Sequence, residues 1–162
     1  MCGIAGSYTL EEGAAPPSLE VLTRMAASLH HRGPDEQGLY RDSRVGLAHA
    51  RLSIIDLSTG QQPMLSFERL NGQWAAALWD RKNQRFVLSR DRLGVRPLHV
   101  ARHGGKLWFA SEVKAIFAGA PDFPRALDPV GLDQTFTFWA SLAPRTPFAG
   151  VEELPPGASL VI

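Results

Sequence analysis

The chain has 162 residues, 44% of them apolar and 20% charged, and a formal net charge of +1. That size and apolar content predict one domain with a buried core and exclude a disordered chain. The near-neutral balance gives no electrostatic case for nucleic acid or an anionic membrane as a partner, and a single cysteine excludes an intramolecular disulfide framework and suits a reducing, cytoplasmic location.

Residues 2–9, "CGIAGSYT", are apolar and interrupted by Gly3 and Gly6, which predicts a buried strand closely approached by another backbone or a ligand. "EEGAAPP" is a loop. Ser18 is placed to cap a helix with Leu19, Leu22, Ala26 and Leu29 on one face, ending at "HHRGPD", where Gly33 suits the position after the last turn and Pro34 blocks continuation. "VGLAHARLSIIDL" is strand-like at 45–48 and 52–55, and "STGQQP" is a turn. "QWAAALWDRKNQRFVLSRD" predicts a hairpin bending near Arg81–Gln84, and "PLHVARHGGKLWFA" a second one closed by Gly104 and Gly105. Ser111 is positioned to cap a short helix, "SEVKAIFA". Asp128-Pro129 is a cap and first-turn signal for another, and "VEELPPGASLVI" is a Pro-Gly turn before a last strand. Paired hairpins with separate helices indicate an α+β layered domain.

Several chemistries have no motif here. No apolar run reaches the length of a membrane-spanning helix, and the first residues lack the basic start and long apolar stretch of a signal peptide. His30, His31, His49, His99 and His103 show no zinc spacing, and no phosphate-binding glycine loop is present, so neither a metal nor a nucleotide site is expected in this domain. The lone thiol, Cys2, has two readings. It is a small buried hydrophobe, or, once Met1 is removed, the first residue, with nucleophile and base on one skeleton. In the second case the thiol, with a reference pKa of about 8.5, stands beside an α-amine of about 8 that can accept its proton.

The segments "MCGIAG", "HHRGPD", "AHARLSIIDLSTGQQP", "LNGQWAAALWD", "SRDRLGVRPLHVA", "FASEVKAI", "LAPRTPF" and "ELPPG" follow one another in this order. Together they resemble the glutaminase domain of glutamine-hydrolysing asparagine synthetases, a class II glutamine amidotransferase of the N-terminal nucleophile hydrolases. The resemblance covers nearly the whole chain as one domain, residues 1–162. It implies an αββα sandwich, incomplete here, in which Cys2 attacks the side-chain amide of glutamine. The ammonia then serves a synthetase domain of the same chain, which amidates aspartate with ATP and Mg. The domain itself needs no cofactor.

Residue roles follow from the same resemblance. Arg51 matches the arginine that holds the glutamine α-carboxylate, a task that suits a bidentate guanidinium; read alone, a surface arginine lying over apolar neighbours is the alternative. Ile54 and Ile55 match positions whose backbone holds substrate, though their side chains read as core. Arg32 matches an arginine near the nucleophile, where it would favour thiolate, or it serves the end of the preceding helix. The charges of "SRDRLGVRPL" and "FASEVKA" are given a structural role.

Two parts of the family pattern are absent. The sequence ends where the family's glutaminase domain ends, so the synthetase domain is missing. Between Gln62 and Leu70 stand only seven residues, including "MLSFER". There the family carries an Asn-Gly-Glu motif, a helix and a Ser-Asp motif that supply the oxyanion hole and the glutamine-amine anchor. Weak or no turnover by this chain alone is therefore expected, the alternative being a degenerate, non-catalytic docking module. Exposed core surface makes homo-oligomerisation a further expectation.

Overall fold

The computed structural model describes residues 1–11, 13–52 and 72–162. Ile54, Ile55, most of the strand expected at 52–55 and the span from Gln62 to Leu70 lie outside them.

Two antiparallel sheets stack face to face. The larger has the order β2 (Glu36–Arg41), β3 (Val45–Arg51), β1 (Gly3–Thr9), β7 (Lys106–Ala110), β6 (His99–His103), β8 (Val151–Glu153). The smaller joins β4 (Ala75–Asp80), β5 (Arg85–Arg90) and β9 (Ser159–Val161). Both expected hairpins form. Gly104 and Gly105 turn the β6–β7 hairpin at φ of 56° and 68°, a left-handed backbone that favours glycine.

Alternation along β1 divides the core in two. Ala5 points to the helices, with Ala48 and Ala50 of β3 and Ala110 of β7 beside it. These short side chains let α1 (Leu19–Ser28) and α2 (Val113–Gly119) lie close on the sheet, and Leu22, Met25, Leu29 and Ile116 fill the gap. Each such buried aliphatic side chain contributes about 1.5–3 kcal/mol. Ser18 caps α1 as expected, its hydroxyl accepting from the Val21 N–H at 3.2 Å. On the other face of β1, Tyr8 stacks on Phe86 of the second sheet with ring centroids 5.1 Å apart, and Phe86 meets Phe109 at 5.4 Å. Gly6 lies beneath this cluster, where a Cβ would meet the Phe109 ring and the Gly46 carbonyl.

The α+β class and the stacked sheets agree with the sequence reading, giving three described layers in the order helix, sheet, sheet. Among the described residues, the helix packing on sheets falls on the larger one: α1 against β1, β2 and β3, α2 against β1 and β7. α3 (Pro129–Phe138) begins at Asp128 as expected, with the carboxylate accepting from the Val130 N–H. It lies at the periphery and leaves Phe136, Phe138 and Trp139 exposed.

Three local expectations are corrected. Gly33 does not adopt a left-handed backbone; it is required because a Cβ there would collide with the Ala50–Arg51 peptide of β3. Ser111 does not cap α2. Its hydroxyl accepts from the Ile4 N–H at 3.0 Å, and Glu112 holds the cap position without a capping bond. Strands β2 and β8, absent from the sequence reading, border the larger sheet.

Candidate active site

The β1–β3 ladder pairs Gly3 with Ala50, so one further step sets Cys2 opposite Arg51. Directly opposed residues of an antiparallel pair share a face, and this one turns toward the second sheet, as Ile4 and Leu47 do. Cys2 is exposed, which rules out the buried-hydrophobe reading of the lone thiol. Its Sγ lies 3.4 Å from the Leu52 N–H donor and 3.6 Å from the Leu52 carbonyl, at the end of β3. Met1 precedes it, half-exposed, with its thioether against the Arg96 guanidinium.

Arg32 leaves the turn after α1 and crosses β1 above Gly3, whose missing side chain makes room: a Cβ there would sit 3.3 Å from Arg32 Cδ. Its Nε donates to the Cys2 carbonyl at 3.2 Å, and its Nη1 donates to Glu112 Oε1 at 2.9 Å. The side chain is only 10% exposed. The guanidinium therefore links the Cys2 backbone to a carboxylate 80 positions along the chain.

Glu112 is the hub of this cluster. His31 reaches the same Oε1 at 2.9 Å, and Lys114 reaches Oε2 at 3.1 Å. Burial pushes the Glu112 carboxyl up, but hydrogen bonds from Arg32, His31 and Lys114 outweigh it and hold the pKa at about 2. A carboxylate depressed below its ordinary 4.5 stabilises the fold fully above that value, and loses the contribution as pH falls toward 2. Urea unfolding at pH 6 and pH 3 is expected to show a smaller acid loss in Glu112→Gln than in wild type; equal losses would refute this.

Arg51 is not a loose surface arginine. Its side chain is 12% exposed, and Nη1 donates at 3.0 Å to the carboxylate of Glu36, its direct cross-strand partner. His49 lies two residues back on the same face, half-buried. Burial holds its imidazole pKa below the ordinary value, partly opposed by Glu36 and reinforced by Arg51. Cys2, Arg51 and Arg32 are thus brought together at one end of β1 and β3. Sequence reasoning gave Glu112 only a scaffold role, because nothing local in "FASEVKA" signals a contact with residue 32. Among the described residues, no group of three His, Cys, Asp or Glu side chains could hold a metal, and no helix is long and apolar enough to cross a membrane.

The chain matches the family model of the glutamine amidotransferase domain in two stretches, residues 1–69 and 65–162. It is 29% identical to the glutamine-hydrolyzing asparagine synthetase 3 of Bacillus subtilis, over 99% of this chain and 34% of that protein. It is 31% identical to asparagine synthetase 2 of the same organism, over 77% of this chain and 23% of the relative. With asparagine synthetase B of Escherichia coli the identity is 26%, over 72% of this chain and 30% of the relative. The chain therefore spans about a third or less of the length of these relatives. The first alignment extends over 213 residues, 51 more than the 162 this chain has. Two matches to one family model, overlapping at residues 65–69 and together spanning the chain from end to end, settle its membership: this chain belongs to the glutamine amidotransferase domain family.

Proposed function

We propose that the chain is the glutamine-hydrolysing part of an asparagine-synthetase-type amidotransferase, with Cys2 as nucleophile and Arg51 as the anchor of the glutamine α-carboxylate. The observation that carries this is the juxtaposition of an exposed Cys2 thiol and a largely buried Arg51 on one face. Glu36 already occupies Arg51 with a carboxylate, and a substrate carboxylate would take or share that place. Removal of Met1 frees the Cys2 amine to accept the thiol proton. The thiolate then attacks the amide carbon, the C–N bond breaks, and ammonia leaves with the proton returned by the ammonium. Water cleaves the resulting thioester, releasing glutamate and restoring the thiol.

Ile54 and Ile55 would contribute backbone contacts to the substrate. The ammonia would be used by a synthetase domain elsewhere in a longer chain, where ATP and Mg belong, to amidate aspartate. Glutamine-hydrolyzing asparagine synthetases among the relatives support that acceptor. We also read residues 1–162 as one domain lacking the family's segment between Gln62 and Leu70. Support comes from the meeting of the two family matches at residues 65–69 and from the longer alignment. The exposed Phe136, Phe138 and Trp139 support self-association as a homo-oligomer.

Exposure of the chain to 6-diazo-5-oxo-norleucine, a glutamine-like electrophile, tests the central reading by intact mass. Loss of Met1 and modification of Cys2, suppressed by excess glutamine, are expected. Quantitative retention of Met1, or modification that glutamine does not slow, would refute it.

A further inference from the structure

We infer that Ser111 and Glu112 are positioning residues for Cys2, together forming a clamp that fixes the start of β1 and the residue before it, so that Cys2 is held at the end of β3. The inference rests on the reading of Cys2 as nucleophile. It starts from a mismatch between local sequence and contacts. "SE" before a helix should supply caps, yet neither side chain caps α2. Ser111 bonds the N-terminal strand directly instead, and Glu112 reaches the residue before it through Arg32.

Ser111 holds Ile4 through both of its backbone polar groups. Its hydroxyl accepts from the Ile4 N–H at 3.0 Å, and its own N–H donates to the Ile4 carbonyl at 2.8 Å. Its neighbour Glu112 accepts from Arg32, whose Nε in turn holds the Cys2 carbonyl. Two adjacent residues thereby fix positions 4 and 2, while Gly3 between them leaves room for the Arg32 stem. The result is a fixed Cys2 Sγ at the Leu52 peptide, beside Arg51.

The clamp acts on atoms that survive processing. Arg32 bonds the Cys2 carbonyl, not its nitrogen, so removal of Met1 leaves the link intact while freeing the amine. A nucleophile at a chain terminus has one covalent tether instead of two, and its backbone would otherwise fray. The groups outside the clamp, His31 and Lys114, meet Glu112 from the solvent side at 2.9 and 3.1 Å and hold the carboxylate in place.

Cys2 is the only thiol, so its alkylation by iodoacetamide reports its placement without requiring glutamine hydrolysis. The rate is measured at one pH in wild type, Glu112→Ala, Glu112→Gln and Ser111→Ala, each first shown to unfold cooperatively. Losing one charge-assisted or buried hydrogen bond in the clamp is expected to change the rate about tenfold in Glu112→Ala and Ser111→Ala. Glu112→Gln keeps an acceptor for Arg32 and is expected to stay within about threefold of wild type. Wild-type rates in both Ala variants, or a Gln variant as altered as Glu112→Ala, would overturn the clamp. Amide exchange at Ile4 provides a second measurement: Ser111→Ala should speed it while β6–β7 amides stay protected, and unchanged Ile4 exchange would count against the proposal. Quantitative retention of Met1, or modification of Cys2 by 6-diazo-5-oxo-norleucine that glutamine does not slow, would refute the glutaminase reading but leaves these measurements decisive for the clamp.

Discussion

Inserting, between Gln62 and Leu70, the segment that the proposed reading assigns to the relatives at that place is expected to raise glutamate release by at least about a thousandfold. The expectation rests on what a thiolate alone cannot do. Attack on an amide places negative charge on the carbonyl oxygen, and hydrogen-bond donors fixed at that point provide most of the stabilisation. One such donor is worth about 3–4 kcal/mol, or a rate factor of about 10²–10³. By resemblance, the segment supplies two donors, from an Asn side chain and a Gly N–H, along with an Asp for the glutamine amine. On the proposed reading, the described site has the nucleophile just before β1, a carboxylate-binding guanidinium at the end of β3, and positioning residues flanking α1 and α2.

The comparison is between the chain and a chimera carrying the Bacillus subtilis asparagine synthetase 3 segment, both assayed by kcat/KM for glutamate release after verified loss of Met1. An Asn→Ala change within the inserted segment should return most of the gain. A folded, processed chimera no faster than the parent would show that the inserted elements are not the limiting part of the site. The same chimera separates the two functional readings, since a module that had lost catalysis for other reasons would gain nothing from the segment.

The parts of the fold legible in the sequence are those whose signals are local. Gly104-Gly105 demands a left-handed turn, and Asp80 through Asn83 closes the β4–β5 hairpin with side chain-to-backbone bonds, so both hairpins could be placed by turn chemistry alone. Ser18 and Asp128 mark helix starts by the same logic. Strand β2 has no comparable signal: all six residues from Glu36 to Arg41 are exposed, so no buried face imposes an apolar alternation. β8 is only three residues long, too short to show a period. At the site, the family motifs pointed to Cys2, Arg32 and Arg51, but gave no sign of the residues these contact. Glu36 meets Arg51 through strand register, and Glu112 meets Arg32 across 80 positions. Such contacts are set by topology, and topology is not written in either flanking motif. Ser111 illustrates the point most directly, since its local context suggests a helix cap while the sheet order places it beside Ile4.

The largest loss of stability from a single polar side chain is expected at Arg90, with Arg90→Met costing about 3–5 kcal/mol. This residue is only 6% exposed and ends β5 in the smaller sheet, yet its guanidinium serves three carbonyls beyond it: Arg96 at 2.8 Å, Leu154 at 2.7 Å and Gly94 at 2.6 Å. It also pairs with Glu153 of β8 in the larger sheet at 2.9 Å. The next residue, Asp91, accepts from the N–H groups of Leu93, Val95 and Arg96, so the loop that carries the chain from one sheet to the other is wound around these two side chains. Methionine fills much of the same volume but leaves three carbonyls and a carboxylate without their donor in a largely buried site. That desolvation penalty, rather than lost packing, is the dominant effect. A total stability of about 5–15 kcal/mol makes the loss a large fraction of what holds the domain together. If the unpaired Glu153 carboxylate is a main part of the penalty, Arg90→Met with Glu153→Gln should recover about 1–2 kcal/mol of it. Urea unfolding of the wild type, the single variants and the pair gives the coupling directly. A single variant within about 1 kcal/mol of wild type would mean that the two sheets are joined by the Tyr8, Phe86 and Phe109 cluster alone and that Arg90 merely occupies the seam.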